Sequence, residues 1–302
     1  MGGFEGGDEG GFWDIDAISD LIKKKDKTPS NNLNKPKPYT QNKDSSYSIN
    51  AHAKIHIFSK ITGEEDDNFT LFSRVIRVEE LYDTISFVPC KCESFTLEGC
   101  GEIPLEKNSI YKAYLSLCDY TADSDIIDFF EDYKVVVTKR IAMKSGLGAS
   151  ASDAASFLRL LKEVCNLIIS TQELVKIANN IANDIAFFIY NYPSANVSGL
   201  GDIVEEFVEE APKIEIHTSD VRCVQSIEDK TLKDSLLTNS SLSSFEAWKK
   251  LDSKSILALG LNPAVLNDFY TTTLCAYPGL KEKSKEDWFL SGYGSSFFTV
   301  TV

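Results

Sequence analysis

Hydrophobic and polar positions first alternate regularly at residues 49–59. Ala51, Ala53, Ile55 and Ile57 fall on one face and His52, Lys54 and His56 on the other, which is the period of a strand with one buried face. Strand-like runs recur near 70–78, 83–88 and 134–138, and helical spacing appears near 108–118 and 124–131. The apolar series Ala155, Leu158, Leu161, Cys165 predicts a helix that starts at about Ser152, with Ser152-Asp153 as its N-cap. A second helix is expected over about 171–182, continued by Phe187–Tyr190, before a turn marked by Gly199 and Gly201. A strand near 213–217 then opens a region with helices at about 243–250, 253–259 and 278–285. Trp288-Phe289-Leu290, a Gly/Ser turn at 291–296 and a strand over 297–302 close the chain. Strands and helices mix without strict alternation, so the expected class is α+β. No internal repeat is visible.

Composition narrows the class. A chain of 302 residues, 43% hydrophobic and 11% aromatic, suggests two domains with real cores. No apolar run reaches membrane-spanning length. A net charge of −14 argues against nucleic acid or an anionic membrane as partner, but leaves room for a nucleotide held by backbone dipoles, a lysine and a divalent cation. The seven cysteines are odd in number and irregularly spaced, as expected of reduced thiols in the cytoplasm. Residues 1–48 read as a low-complexity leader: paired glycines among acids, then a polar Lys/Pro/Asn/Ser tract. Within it, Phe12–Ile22 has weak helical periodicity, and nothing in it has the form of a secretory signal or transit peptide.

The segment Lys144-Ser145-Gly146-Leu147-Gly148-Ala149-Ser150-Ala151-Ser152-Asp153-Ala154-Ala155 carries the most chemistry. Its glycines let the backbone turn sharply and approach a ligand, and the helix behind it directs free N–H groups and a positive dipole end at whatever the loop holds. A phosphate is the natural guest. No Gly-Lys-Ser/Thr closes the loop, so it is not the P-loop of the common NTPases.

Four segments, taken in order, carry a family resemblance. They are Ala51-His52-Ala53-Lys54-Ile55-His56-Ile57-Phe58, the loop at 145–155, Ala182-Asn183-Asp184-Ile185-Ala186-Phe187-Phe188, and Leu290-Ser291-Gly292-Tyr293-Gly294-Ser295-Ser296. Over about residues 49–302 the chain resembles the GHMP small-molecule kinases, and within them the branch acting on 4-diphosphocytidyl-2-C-methyl-D-erythritol. The stretch Ser194–Asp202 fits the same branch.

The resemblance implies a two-domain fold, with a ribosomal-protein-S5-like N-terminal ATP-binding domain over 49–212 and an α/β-sandwich C-terminal domain over 213–302. It implies ATP and Mg2+ as cofactors and a cytidyl diphosphate sugar-alcohol as substrate, in non-mevalonate isoprenoid biosynthesis. Lys54 and Asp184 match the residues flanking the acceptor hydroxyl, with Asp184 as base and Lys54 as electrostatic stabiliser. Asn108, Lys144, Ser145, Gly146, Leu147, Gly148, Ala149, Ser150, Ala151 and Ser152 match the nucleotide-binding positions, and Ser150 is the candidate metal ligand. His56, Phe69, Gly199, Gly201, Gly292, Gly294 and Ser295 fall on the substrate side. His56 stands where the family usually has asparagine, and Phe69 aligns with the segment that recognises cytosine. A monomer or homodimer without nucleic-acid or membrane partners is expected. Two alternatives stay open at the level of sequence: a kinase for another small alcohol, and a nucleotide-binding homologue that acts through partners.

Overall fold

The computed structural model describes residues 37–66, 68–101, 103–121, 124–179, 181–182, 184–221, 223 and 246–301. The expected helical periodicity at 12–22, together with Asp67 and Asn183, lies outside the described residues. Pro38–Val302 cluster as one compact unit of mixed helix and sheet, as the α+β expectation required.

Strands β1 (Thr40–Gln41), β2 (Tyr47–Glu65), β3 (Asn68–Pro89), β4 (Leu97–Glu98), β5 (Tyr133–Thr138), β6 (Ser194–Gly199) and β7 (Ile203–Glu206) form one sheet. The sheet therefore begins before the boundary expected at residue 48. Its spine is the β2–β3 hairpin. The C-terminal half of β3 pairs with β5 and the N-terminal half with β6, so one long strand serves two flanks. The two strands expected at 70–78 and 83–88 are this single strand. Val78 faces Ala53 and Tyr82 faces His52, so residues 79–81 form an irregularity, and the polar pair Glu79-Glu80 there reads as a break in sequence.

The helices on this unit are α1 (Ser109–Thr121), α2 (Ser124–Asp132), α3 (Ala149–Val164), α4 (Thr171–Ala178) and α5 (Ile185–Tyr190). The expected run 171–190 is interrupted. Ser170 and Glu173 close a reciprocal capping box at the start of α4. Asp184 then takes a left-handed conformation that restarts the chain as α5. A smaller antiparallel sheet has the order β8 (Ile214–His217), β10 (Phe297–Val300), β9 (Phe289–Leu290). Short helices α6 (Ser253–Ala258), α7 (Pro263–Leu266), α8 (Tyr270–Ala276) and α9 (Pro278–Lys281) lie between β8 and β9 in sequence. The α7 and α8 segments were not visible in the periodicity, and the helix expected over 278–285 stops at Lys281.

The apolar face of β2 runs under two cores. Ile49 and Ala51 join α1, α3 and α5 in the larger one. Ala53, Ile55 and Ile57 join Leu147, Trp248, Ile256 and Phe298 in the other. No helix among the described residues is long and apolar enough to cross a membrane.

Candidate active site

Lys54 sits mid-strand on the polar face of β2, yet it is only 2% exposed. Its backbone N–H donates to the carbonyl of Leu147 (3.0 Å), which fastens the glycine loop to the strand. Its ammonium lies 3.2 Å from Asp184 Oδ2 and 2.8 Å from His56 Nδ1. Asp184 reaches this place because α5 behind it, Ile185–Tyr190, is anchored by the buried run Ile185–Ile189.

Burial raises the Asp184 carboxyl, but the Lys54 ammonium outweighs this and leaves it below its ordinary value. Burial likewise pulls Lys54 below the usual lysine range, with Asp184 opposing. Burial first and Lys54 second push His56 down to about 3, so the imidazole is neutral. The Lys54 ammonium lies against the ring, 2.8 Å from Nδ1 and 3.2 Å from Nε2. The result is an ionised carboxylate beside an ammonium that a neutral histidine holds in place.

The glycine loop faces this pair. Lys54, Met143, Lys144, Ser145, Gly146, Gly148, Ala149, Ser150, Ala151, Ala182, Asp184, Cys223 and Gly294 line a cleft of about 420 Å³. The helix behind the loop begins earlier than Ser152. Gly148 adopts φ 78° and turns the chain straight into α3 at Ala149, so Ser152 lies inside the first turns. Its N–H bonds to the Gly148 carbonyl (2.9 Å), and its fully buried hydroxyl donates to the carbonyl of His52 (2.7 Å). The first-turn N–H groups at Ala149–Ala151 are the ones without intrahelical acceptors. Leu147 contributes backbone only, because its side chain is buried in the second core. Ser145 spends its hydroxyl on the carbonyl of Ala142 (2.6 Å), whereas Ser150 is exposed at the cleft.

The last glycine segment packs on the loop. A Cβ on Gly146 would lie 2.3 Å from the carbonyl oxygen of Ser291, so the two turns touch backbone to backbone. Ser291 donates its hydroxyl to the Gly146 carbonyl (3.1 Å), and the Ser296 N–H donates to the Ser145 carbonyl (2.9 Å). Gly292 lies against the His56 ring and Gly201 against the backbone N of Asp184. Gly294 lines the cleft, and Ser295 is buried in the same turn.

Three expected residues stand apart from the Lys54–Asp184 pair. Asn108 caps α1 through the Ile110 N–H (2.9 Å) and lines a small neighbouring recess with Ser109, Ser150 and Asp153. Gly199 lines a different pocket, with Phe72 and Asn196. Phe69 packs on Phe269, with ring centroids 5.8 Å apart, and Phe269 packs in turn on Tyr293 at 4.1 Å, both pairs with tilted rings.

Two residues here were not among the expected site residues. Buried Asn267 donates to the carbonyls of Leu290 and Gly292, shaping the last turn. The Tyr293 hydroxyl is pushed upward by burial and then by the Asp184 charge. Tyr293 lies in the last of the four family segments, where only its glycine and serine neighbours were singled out.

Comparison with known proteins shows the family. A model of the GHMP kinases N terminal domain matches residues 108–192. The 4-diphosphocytidyl-2-C-methyl-D-erythritol kinase of Sulfurovum sp. (strain NBC37-1) is 46% identical over 254 residues, covering 84% of this chain and 99% of that protein. The kinase of the same name from Sulfurimonas denitrificans is 38% identical, covering 83% and 95%. The crystal structure of a 4-(cytidine 5'-diphospho)-2C-methyl-D-erythritol kinase shares the fold at a TM-score of 0.61, with 19% identity over 84% of this chain and 90% of that one. Mevalonate kinase from Methanococcus jannaschii follows at a TM-score of 0.54 and 14% identity, covering 86% and 92%. By its identity across nearly the whole length of such relatives, the chain belongs to the family of 4-diphosphocytidyl-2-C-methyl-D-erythritol kinases, within the GHMP kinases.

Proposed function

We propose that this protein transfers the γ-phosphoryl group of ATP to the 2-hydroxyl of 4-diphosphocytidyl-2-C-methyl-D-erythritol, a step in non-mevalonate isoprenoid precursor synthesis. The observation that carries the reading is the Lys54–Asp184 pair, 3.2 Å apart on the wall of a cleft lined by the glycine loop. Asp184 takes the proton of the acceptor hydroxyl as that oxygen bonds to the γ-phosphorus. The bond from the γ-phosphorus to its bridging oxygen breaks, and ADP leaves with the bonding pair. Lys54 keeps Asp184 ionised and offsets the negative charge that grows on the attacking oxygen. His56 holds Lys54 while remaining neutral. Backbone N–H groups at the start of α3 receive the phosphates.

The residues present suit Mg2+ carried in with the nucleotide rather than a resident ion. Among the described residues no group of three or more His, Cys, Asp or Glu side chains gathers to hold a metal. The exposed Ser150 hydroxyl would be the protein's contribution to holding such a cation, which would supply positive charge to neutralise the phosphates. On the acceptor side, the partly exposed rings of Phe69 and Tyr293, packed on either side of buried Phe269, are the aromatic surface offered to the cytosine ring. We assign residues 49–212 to an ATP-binding domain and 213–302 to a second domain, and place the protein, with its free thiols, in the cytoplasm.

The test is ADP release from purified protein with Mg·ATP and diphosphocytidyl-methylerythritol. Asp184→Asn should lower kcat by roughly a thousandfold and leave ATP binding intact. An Asp184→Asn enzyme with native turnover removes the assigned base. Nucleotide binding without turnover of this acceptor favours another small alcohol, a reading that Phe69 supports because its ring gives a base no hydrogen bond.

A further inference from the structure

The loop at 142–148 hangs between β5 and α3, and a buried ionic cluster outside the cleft ties both of its ends to the sheet. Asp83, on β3, is fully buried. Its Oδ1 accepts from the backbone N–H groups of Arg140 and Ile141, the latter at 2.8 Å, where the chain leaves β5 for the loop. Its Oδ2 pairs with the ammonium of Lys139. The same ammonium reaches Asp153 Oδ2, 2.7 Å away on the second turn of α3. One carboxylate thus fixes the entry of the loop, and one lysine links that carboxylate to the helix at its exit.

We propose that Asp83, Lys139 and Asp153 form a brace that sets the spacing between the loop and the first turn of α3, which makes Asp83 a positioning residue for the nucleotide. The inference rests on reading the loop as the phosphate site. Its physical basis is the mismatch between what a loop can hold by itself and what phosphate binding needs. Backbone N–H groups help an anion only when they converge, and in a loop rich in Gly, Ala and Ser the buried Leu147 is the one large side chain packed into a core to keep them so. Lys144 and Gly146 both have positive φ, so the loop conformation is one that its contacts must hold.

The two carboxylates are not equivalent. Both oxygens of Asp83 accept bonds, and an amide there would turn an NH2 group toward an ammonium or toward backbone N–H groups. Asp153 has one oxygen on Lys139, while its buried Oδ1 has no partner among the described residues. An amide at 153 keeps the bond to Lys139 and removes the excess negative charge of two carboxylates around one ammonium.

The experiment compares Asp83→Asn, Asp153→Asn and Asp153→Ala by calorimetric binding of Mg·ATP and by steady-state kinetics in both substrates. The brace predicts that Asp83→Asn and Asp153→Ala raise the Kd and KM for ATP by about tenfold or more, with kcat and the acceptor KM within about threefold. Asp153→Asn should bind ATP as the unaltered protein does. If Asp83→Asn fails to fold, Lys139→Met should give the same split, and Lys139→Arg should restore it. Unaltered ATP affinity in Asp83→Asn or Lys139→Met overturns the brace, as does a parallel loss in both substrates that tracks lost stability. A native protein that binds no Mg·ATP instead overturns the reading of the loop, and the brace with it.

Discussion

At the scale of single residues, the site rests on a histidine kept from charging. His56 is held at about 3 against an ordinary value of 6.5, so the unfolded chain takes up its proton first as pH falls. Its contribution to stability is therefore complete above about 6.5 and is lost as the pH drops toward 3. Asp184, held below its ordinary value, adds loss in the same direction at the acid end. Asp153 opposes them: burial, resisted by Lys139 and aided by Asp83, raises it from 3.8 to about 7, so its contribution favours the folded state increasingly as pH falls through that interval. His56→Asn keeps an acceptor for Lys54 and removes the titration. Its melting temperature should fall less than that of the native protein between pH 6.5 and pH 4. Parallel melting curves across that range would show that His56 is not held neutral by the fold.

At the scale of elements, the loop and the last turn act as one. The separation of 2.3 Å between a Cβ at residue 146 and the Ser291 oxygen leaves no room for a methyl group, and φ at 146 is +79°. Gly101 provides the control, with φ +67° and nothing within 4 Å of an added Cβ. Gly101→Ala should cost about 1 kcal/mol from backbone strain alone and leave turnover intact. Gly146→Ala carries that strain and must also push the two turns apart, so it should lose more stability and most of its ATP affinity. Thermal melts with and without Mg·ATP separate the two, because only a variant that still binds gains stability from the nucleotide. Equal behaviour of the two variants would mean that the contact between the turns does not matter.

Across the whole molecule, one buried charge cluster joins the large sheet to the chain segment around 246–253. Arg74, on β3, donates to Asn196 Oδ1 (2.8 Å) and to the carbonyls of Lys249 (3.2 Å) and Leu251 (3.1 Å), and its guanidinium lies 3.3 Å from the centroid of the Phe207 ring. Glu209, 3.4 Å from Arg74, also accepts from the Ser253 N–H (2.6 Å) and hydroxyl (2.8 Å) at the start of α6. Both side chains are almost wholly buried. Removing one partner of such a pair strands the other, so Glu209→Ala should cost about 3–5 kcal/mol by urea denaturation. A cost under about 1 kcal/mol would mean that solvent reaches the stranded arginine.

The sequence by itself determined the class of fold, the strand that carries Lys54, the glycine loop and the order of the family's segments. These are local facts: alternation sets which face of β2 carries Lys54 and His56, and the glycines at 146 and 148 mark a loop ahead of a helix. Tertiary structure decided the rest. Periodicity could not show that 70–78 and 83–88 are one strand, because an irregularity of the hairpin breaks the pattern at residues 79–81. It set the start of α3 at Ser152, since a left-handed Gly148 is a better entry to the helix only when Lys54 and Leu147 hold the loop in place. It missed α7 and α8, short segments with too few turns for a period to emerge. Asp83, Lys139 and Asn267 were invisible for a related reason. Each acts through partners 14 or more residues away, at distances along the chain where no local rule operates.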